Sequence, residues 1–170
     1  MSILLVGTGY MGKEYAKVLK AMDLSFLAIG RELKEWLKLN KAPKTAIIAV
    51  TEDQLGIVAR QLINSNCKNI LVEKPGGFDA EDIRKVAKLA KQKKAKIYVG
   101  YNRRFYASTQ KALEIIRKEG VLSFNFDFTE RSGAVEKAPQ SVKIKKEWFL
   151  QNSTHVIDMA FFMAGWPQKM

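Results

Sequence analysis

Ile3-Leu4-Leu5-Val6 runs directly into Gly7-Thr8-Gly9-Tyr10-Met11-Gly12 near the start of the chain. The four apolar residues predict a buried strand, and apolar side chains at helical spacing predict a helix over residues 10–22. In such a turn Gly7 permits the tight bend, Gly9 lets backbone amides approach a pyrophosphate, and Gly12 lets the helix pack against the strand. The amides at the helix start also favour negative charge. We therefore predict that residues 7–12 bind a dinucleotide.

Apolar strands and helices continue to alternate as far as residue 100. The predicted strands are 24–29, 46–50, 69–72 and 97–100, and the predicted helices are 32–39, 53–64 and a segment that begins after Asp79. Each helix that connects two parallel strands covers one face of their sheet. The pattern predicts an α/β domain over residues 1–120, with a doubly wound parallel sheet of the Rossmann type.

The pattern changes after residue 120. From Leu122 to Phe128, large apolar residues alternate with polar ones, which is the period of a strand with one buried and one exposed face. Such strands belong to antiparallel sheets, and a single strand cannot form a sheet. A loop over 131–141 and an apolar helix over 152–164 follow. We predict that residues 121–170 form an incomplete α+β domain, completed in a homo-oligomer or by a partner chain.

Composition argues against several classes of protein. With 47% hydrophobic and 27% charged residues the chain is globular, and it lacks the run of about 18 apolar residues that a membrane helix needs. No signal segment opens the chain, so we expect a cytoplasmic protein without a membrane partner. Cys67 is the only cysteine and His155 the only histidine, so we expect no disulfide and no bound metal.

The net charge of +12 suggests a polyanionic partner. The lysines, however, are spread over the predicted helices, and no basic groove with interleaved aromatic residues is visible. We therefore expect no nucleic-acid partner. Attraction of phosphorylated small molecules is the more modest interpretation.

Charged residues follow several predicted strands, at the sheet edge where open α/β proteins bind ligands. Glu73-Lys74-Pro75 follows the strand 69–72. At the end of the second strand, where a dinucleotide site for NAD usually has an acidic residue, the chain has Arg31 followed by Glu32. Arg31 would bind a 2′-phosphate or stack on adenine, which favours NADP over NAD, or it is a solvated loop residue.

Five segments of the chain, taken in order, resemble the Gfo/Idh/MocA family of NAD(P)-dependent oxidoreductases, the relatives of glucose–fructose oxidoreductase and inositol dehydrogenase. These segments are VGTGYMG, AIIAVTEDQ, ILVEKPGGF, VGYNRRF and NSTHVIDMAFFMAG. The Glu-Lys-Pro and Asn-Arg-Arg-Phe motifs are far more specific than the glycine turn. The resemblance implies a Rossmann domain followed by an α/β domain whose open antiparallel sheet commonly builds the oligomer.

The resemblance also implies a role for individual residues. Lys74 would orient the substrate hydroxyl and the nicotinamide, and His155 would be the general acid or base. Five further residues would line the cofactor or face its nicotinamide end and the substrate: Glu73, Val50, Thr51, Asn102 and Arg103. The implied reaction is hydride transfer between NADP or NAD and a secondary alcohol or ketone of a sugar, cyclitol or nucleotide-sugar.

The chain departs from the family in two respects. Many members have an aspartate four residues before the histidine, where this chain has Gln151. Asn152 and Asp158 are the nearby polar candidates; Asp158 either orients the imidazole or is a carboxylate on the helix surface. Family chains are also much longer. The alternative function is therefore a catalytically weak or silent dinucleotide-binding protein, or one subunit of a split oxidoreductase.

Overall fold

The computed structural model describes residues 2–129 and 131–166, apart from the side chain of Ser132. The chain divides into two compact units, Met1–Gly100 and Tyr101–Met170. This division comes earlier in the chain than the domain boundary that the sequence predicts at residue 120. Gly100 lies directly after the last strand of the sheet, so the first unit contains the whole sheet.

The first unit is built on one five-stranded sheet. Its strands are β1 (Ile3–Val6), β2 (Phe26–Ile29), β3 (Thr45–Ile48), β4 (Asn69–Val72) and β5 (Lys96–Val99). All neighbouring strands are parallel, in the order β2-β1-β3-β4-β5, which confirms the predicted doubly wound sheet. The chain order reverses between β1 and β3, and such a switch point opens a crevice at the carboxyl ends of the strands.

Four helices alternate with these strands: α1 (Tyr10–Ala21), α2 (Leu33–Leu39), α3 (Glu52–Asn64) and α4 (Ala80–Lys93). The start of α4 is capped as the sequence predicts, because Asp79 Oδ1 accepts a hydrogen bond of 2.7 Å from the Asp82 amide. The larger core forms on the sheet face that α2, α3 and α4 cover, and Leu4, Ile48 and Ile70 are completely buried there. A smaller core around Leu5 and Leu19 packs α1 onto the other face.

The second unit is helical in its described part. It contains a 3-10 turn and five helices: the turn Asn102–Phe105, α5 (Ala107–Glu119), α6 (Ser132–Lys137), α7 (Val142–Lys146), α8 (Trp148–Gln151) and α9 (Thr154–Ala164). The apolar helix predicted over 152–164 corresponds to α9, which ends at Gly165 with φ +84°. None of the described helices has the length and apolar character needed to span a membrane.

The strand predicted over 122–128 is wrong. These residues are not paired with any other segment, and α6 lies within the stretch predicted as a loop. A strand exists only through hydrogen bonds to a neighbouring strand, and no described segment of the second unit forms such bonds with this one. Phe124 and Phe126 are consequently 44% and 48% exposed. The described residues therefore contain no antiparallel sheet.

Candidate functional site

The turn after β1 is tightly packed at two of its glycines. Gly7 has φ +116°, a region that L residues rarely adopt, and a Cβ atom there would overlap the Ala49 carbonyl oxygen at the end of β3. A Cβ atom on Gly12 would overlap the Gly7 carbonyl in the same way. The turn therefore lies directly against the loop after β3, at the switch point of the sheet.

The outer side of this turn is open. A Cβ atom on Gly9 would meet nothing within 4 Å, and Thr8 and Tyr10 beside it are exposed. Gly9 is the N-cap residue of α1, which has no side-chain cap and no acidic residue in its first turn. The first amide groups of a helix have no partners within the helix and favour an anion. The turn therefore has the space and the donors that a pyrophosphate requires.

The loop after β3 forms the second side of the crevice. The Ala49 amide donates to the Val6 carbonyl at 2.7 Å, which holds the start of this loop beside β1. Val50 is half-buried, whereas Thr51 is exposed. Thr51 is the N-cap residue of α3, and its hydroxyl makes no capping bond to the helix. Both residues follow β3 at the carboxyl edge of the sheet, and their contact with a cofactor stays a prediction.

At the end of β2 the acidic residue is better placed than the sequence suggested. Glu32 Oε1 accepts a hydrogen bond of 3.0 Å from the Gly30 amide, and this bond lowers the pKa of the Glu32 carboxyl. The carboxylate is thus held at the end of β2. Both Glu32 and Thr8 lie close to Gly30, because a Cβ atom built there would be 3.2 Å from Glu32 Oε2 and 3.5 Å from Thr8 Oγ1. Arg31 is exposed. Glu32 therefore places a carboxylate beside the end of β2, near Thr8 of the glycine turn.

The loop after β4 is anchored through the Glu73 side chain. Glu73 Oε1 accepts a hydrogen bond of 2.7 Å from the Tyr15 hydroxyl on α1, and Oε2 accepts a longer one of 3.3 Å from the Lys74 amide. Burial, followed by the hydrogen bond to Glu73, raises the pKa of the Tyr15 phenol. The Lys74–Pro75 peptide is cis, and Lys74 is half-buried. Tyr15 thus supports the loop that carries Lys74.

Sequence reasoning did not assign Tyr15 to the site. Its position in α1 marks it only as a residue on the inner face of the helix. The usable signal is that a phenol can donate a hydrogen bond to a carboxylate: Tyr15 is on the helix after β1, and Glu73 follows β4 in the same sheet. That signal becomes usable only when the order of the strands is known.

In the second unit, the turn Asn102–Phe105 carries two arginines that differ in their surroundings. Arg103 and Asn102 are exposed, and the Arg103 carbonyl accepts a hydrogen bond of 2.9 Å from the Thr109 hydroxyl of α5. The Arg104 guanidinium donates two hydrogen bonds to the Asp158 carboxylate of α9, from Nη2 to Oδ1 and from Nε to Oδ2, the latter at 2.8 Å. Arg104 therefore connects the turn to α9, while Arg103 extends into solvent.

His155 lies in the first turn of α9 and is half-buried. Its imidazole forms a T-shaped contact with the Tyr101 ring, with ring centroids 5.9 Å apart and planes at 81°. Asp158 is one helical turn further on, but its carboxylate is only 9% exposed and forms the pair with Arg104. Gln151, at the position of the family aspartate, is buried. Asn152, the other polar candidate, is exposed.

An open cleft of about 510 Å³ borders the same pair. Half of the residues that line it are aromatic, among them Phe161, Phe162 and Trp166, and Arg104 and Asp158 also face it. His155 does not line this cleft. The cleft is therefore not the site that the sequence predicts around Lys74 and His155.

The predicted residues fall into two groups. Those of the first unit all follow strands of one parallel sheet and lie along its carboxyl edge: Gly7, Thr8, Gly9, Tyr10, Met11, Gly12, Arg31, Val50, Thr51, Glu73 and Lys74. The remaining three, Asn102, Arg103 and His155, belong to the second unit. The pairing of Lys74 with His155 across the active site stays a prediction.

Residues 28–101 match the family model described as the Gfo/Idh/MocA oxidoreductase family, NAD-binding Rossmann fold. The resemblance to the Gfo/Idh/MocA family is confirmed. The matched region begins in β2 and contains Glu73-Lys74-Pro75, whereas the glycine turn precedes it. The match thus includes the Glu-Lys-Pro motif but neither the glycine turn nor the Asn-Arg-Arg-Phe motif, which begins at Asn102.

Solved structures of dehydrogenases share the fold. The WlbA dehydrogenase from Chromobacterium violaceum, in complex with NADH and UDP-GlcNAcA, has a TM-score of 0.75 at 16% identity over 97% of this chain and 55% of its own. The scyllo-inositol dehydrogenase from Lactobacillus casei, solved with NAD(H) and scyllo-inositol, has a TM-score of 0.72 at 17% identity. The match covers 97% of this chain and 56% of that one. An NAD-binding oxidoreductase from Klebsiella pneumoniae also has a TM-score of 0.72 at 17% identity, over 97% of this chain and 53% of its own.

At these identities the comparison establishes a common fold. The chain spans about half the length of the solved structures that it matches. None of the curated proteins is similar enough in sequence to match the chain.

Proposed function

We propose that this chain is an oxidoreductase that transfers a hydride between a nicotinamide cofactor and a secondary alcohol or ketone of a sugar, cyclitol or nucleotide-sugar. The observation that carries the proposal is the sheet edge of the first unit. There the open glycine turn and the loop with Glu73 and Lys74 follow strands of the same parallel sheet. A dinucleotide bound along this edge would have its phosphates at the turn.

Lys74 and His155 would carry the proton chemistry. A bound nicotinamide cofactor accepts or supplies the hydride. The substrate hydroxyl has to lose its proton as the hydride leaves, and an imidazole performs this step well near neutral pH. The Lys74 ammonium would stabilise the developing alkoxide. Glu73 would keep the lysine loop in place through Tyr15 and the Lys74 amide.

For the cofactor, the position of Glu32 supports NAD. A carboxylate held at the end of β2 can accept hydrogen bonds from the ribose hydroxyls of NAD and would repel the 2′-phosphate of NADP. Arg31, which the sequence interpretation linked to NADP, is exposed beside it. We propose NAD as the preferred cofactor.

The proposed substrate class follows from two of the similar structures. One was solved with scyllo-inositol and another with UDP-GlcNAcA, and both are polyhydroxylated molecules. The exposed side chains of Asn102 and Arg103 are suitable for contacting hydroxyl or phosphate groups of such a substrate. The cytoplasmic location expected from the sequence remains a prediction.

Calorimetric titration of the chain with NADH and NADPH tests the cofactor proposal. We expect NADH to bind more tightly, and Glu32→Gln to reduce the preference, since it removes the negative charge. The matched control is Glu35→Gln on α2, which removes another exposed carboxylate, paired with Lys38. Failure of both nucleotides to bind the folded chain would contradict the proposal.

The reaction is tested with a panel of polyols and nucleotide-sugars, following nicotinamide absorbance. We expect Lys74→Ala to lose most of the turnover while NADH affinity is largely retained. Lys13→Ala, an exposed lysine of α1, is the control. Full turnover in Lys74→Ala would remove Lys74 from the mechanism.

A further inference from the structure

Arg104 is fixed on three sides by residues of the second unit. Its guanidinium binds the Asp158 carboxylate through two parallel bonds, Nε to Oδ2 at 2.8 Å and Nη2 to Oδ1. Its Cζ atom lies 4.7 Å from the centroid of the Phe162 ring and 5.6 Å from that of Tyr101. A bidentate pair of this kind is specific in geometry, and lysine cannot reproduce it.

Tyr101 and Arg104 belong to the same compact turn. The Arg104 amide donates to the Tyr101 carbonyl at 3.3 Å, which closes the turn. The two side chains contact α9 at different points: Arg104 binds Asp158, and Tyr101 forms a T-shaped ring contact with His155. Asp158 and His155 are three residues apart on α9, so they lie on the same side of the helix.

We propose that Arg104 is a positioning residue for His155. By binding Asp158, it holds the turn Asn102–Phe105 against α9, and the turn in turn holds the Tyr101 ring against the imidazole. The inference deepens the proposed function, on which the proton-transfer role of His155 rests. The positioning itself depends only on contacts within the second unit.

The same pair also controls the charge near the imidazole. In the second unit α9 packs against the turn and against α8. Besides His155, the ionisable side chains of these elements are Arg103 and Arg104 in the turn, Tyr101 just before it, and Asp158 in α9. The helix α8 has no ionisable side chain. Burial raises the pKa of the Tyr101 phenol, so this group is neutral at neutral pH. Arg104 is therefore the cation that neutralises Asp158 one turn from His155.

Nuclear magnetic resonance offers a direct test, because His155 is the only histidine and its Cε1–H signal needs no assignment. A Tyr101→Leu variant provides the reference shift of an imidazole without the neighbouring ring. We expect Arg104→Gln to move the His155 signal towards that reference. We also expect the midpoint of the imidazole titration to rise by roughly one pH unit, since the unpaired Asp158 carboxylate favours the imidazolium.

Asp158→Asn should shift the midpoint in the opposite direction, because it leaves the Arg104 charge uncompensated, while the ring signal again moves towards the Tyr101→Leu reference. Lys111→Gln is the matched control, since it breaks an exposed pair with Glu114 on α5 of the same unit and should change neither quantity. A general loosening of the unit would not produce opposite shifts from the two partners.

If Arg104→Gln does not fold, Arg104→Lys decides the question. This variant keeps the positive charge but loses the bidentate hydrogen bonds to Asp158. The His155 Cε1–H signal should therefore move, while the midpoint of the imidazole titration should change little. A folded Arg104 variant with the wild-type His155 signal and midpoint would overturn the proposal. These measurements need no substrate, so a failure to detect hydride transfer would contradict the proposed function without affecting this result.

Discussion

Gly7 and Gly9 belong to the same turn, but the structure requires glycine only at the first of these two positions. At Gly7 the backbone has φ +116° and the Ala49 carbonyl occupies the place of a Cβ atom. At Gly9, φ is −72° and a Cβ atom would be in open space. Folding therefore requires a glycine at position 7, whereas only a bound ligand would require one at position 9.

This difference predicts opposite results for two alanine variants. Gly7→Ala should lower the free energy of unfolding by roughly 1–3 kcal/mol from backbone strain alone, and further through overlap with the Ala49 carbonyl. Gly9→Ala should leave stability nearly unchanged and weaken the binding of NADH. Urea unfolding and calorimetry measure the two quantities. Unchanged NADH affinity in Gly9→Ala would show that no pyrophosphate approaches the turn.

Tyr15 leads to a second prediction at the level of single residues. Tyr15→Phe removes the donor to Glu73 Oε1 and leaves a half-buried carboxylate with one bond fewer. Hydrogen bonds to charged groups contribute roughly 1.5–3 kcal/mol, so we expect a loss near the lower end of that range in urea unfolding. Tyr98→Phe on β5 is the control, since Tyr98 is 56% exposed. Equal stability of the two variants would count against the anchoring role.

Among the elements, α3 and α4 approach each other closely at Gly56. A Cβ atom there would overlap the Asp82 carboxylate of α4, which also binds Arg60 of α3. Asp82 Oδ2 accepts a further bond of 3.0 Å from the Phe78 amide, in the loop between Lys74 and α4. One side chain, only 16% exposed, thus connects two helices and the lysine loop.

The Asp82 interactions predict a stability that depends on pH. Burial raises the pKa of this carboxyl, but the bonds from the Phe78 amide and Arg60 outweigh it, so the folded-state pKa lies below the ordinary value. The stabilisation is therefore fully present above the unfolded-state pKa of about 3.9 and is lost as the pH falls through the folded-state value. Urea unfolding between neutral and acidic pH should show a smaller loss in Asp82→Asn than in the wild type.

The matched control for that experiment is Glu81→Gln, which removes an exposed carboxylate paired with Lys85 on the same helix. Exposed pairs contribute little, so its pH profile should follow that of the wild type. Parallel profiles for Asp82→Asn and the wild type would contradict the assignment.

For the whole molecule, two surface properties oppose each other. The net charge of +12 favours repulsion between copies, and the described ion pairs on helix surfaces are exposed and contribute little. The segment 121–129, by contrast, belongs to no helix or strand and exposes Leu122, Phe124 and Phe126. Neighbouring apolar side chains that are exposed to solvent promote association.

We therefore predict self-association through this segment, which screening of the charge by salt should strengthen. Sedimentation velocity over a range of concentrations measures it, and Phe124→Asp should shift the chain towards the monomer. Ser123→Asp, on the alternate side of the same segment, is the control and should have a smaller effect. A monomeric wild-type chain at all concentrations and salt levels would contradict this prediction and leave a partner chain as the remaining candidate.

Local patterns in the sequence were sufficient to predict the parallel sheet and the positions of the glycine turn and Lys74. Buried strands leave continuous apolar runs, and turns require particular residues, so neighbouring positions carry this information. The pairs Tyr15–Glu73 and Arg104–Asp158 join residues 58 and 54 positions apart, and they became visible only when the strands and helices were packed. The alternation over 122–128 predicted a strand that did not form, because a strand depends on hydrogen bonds to a neighbour that its own residues do not specify.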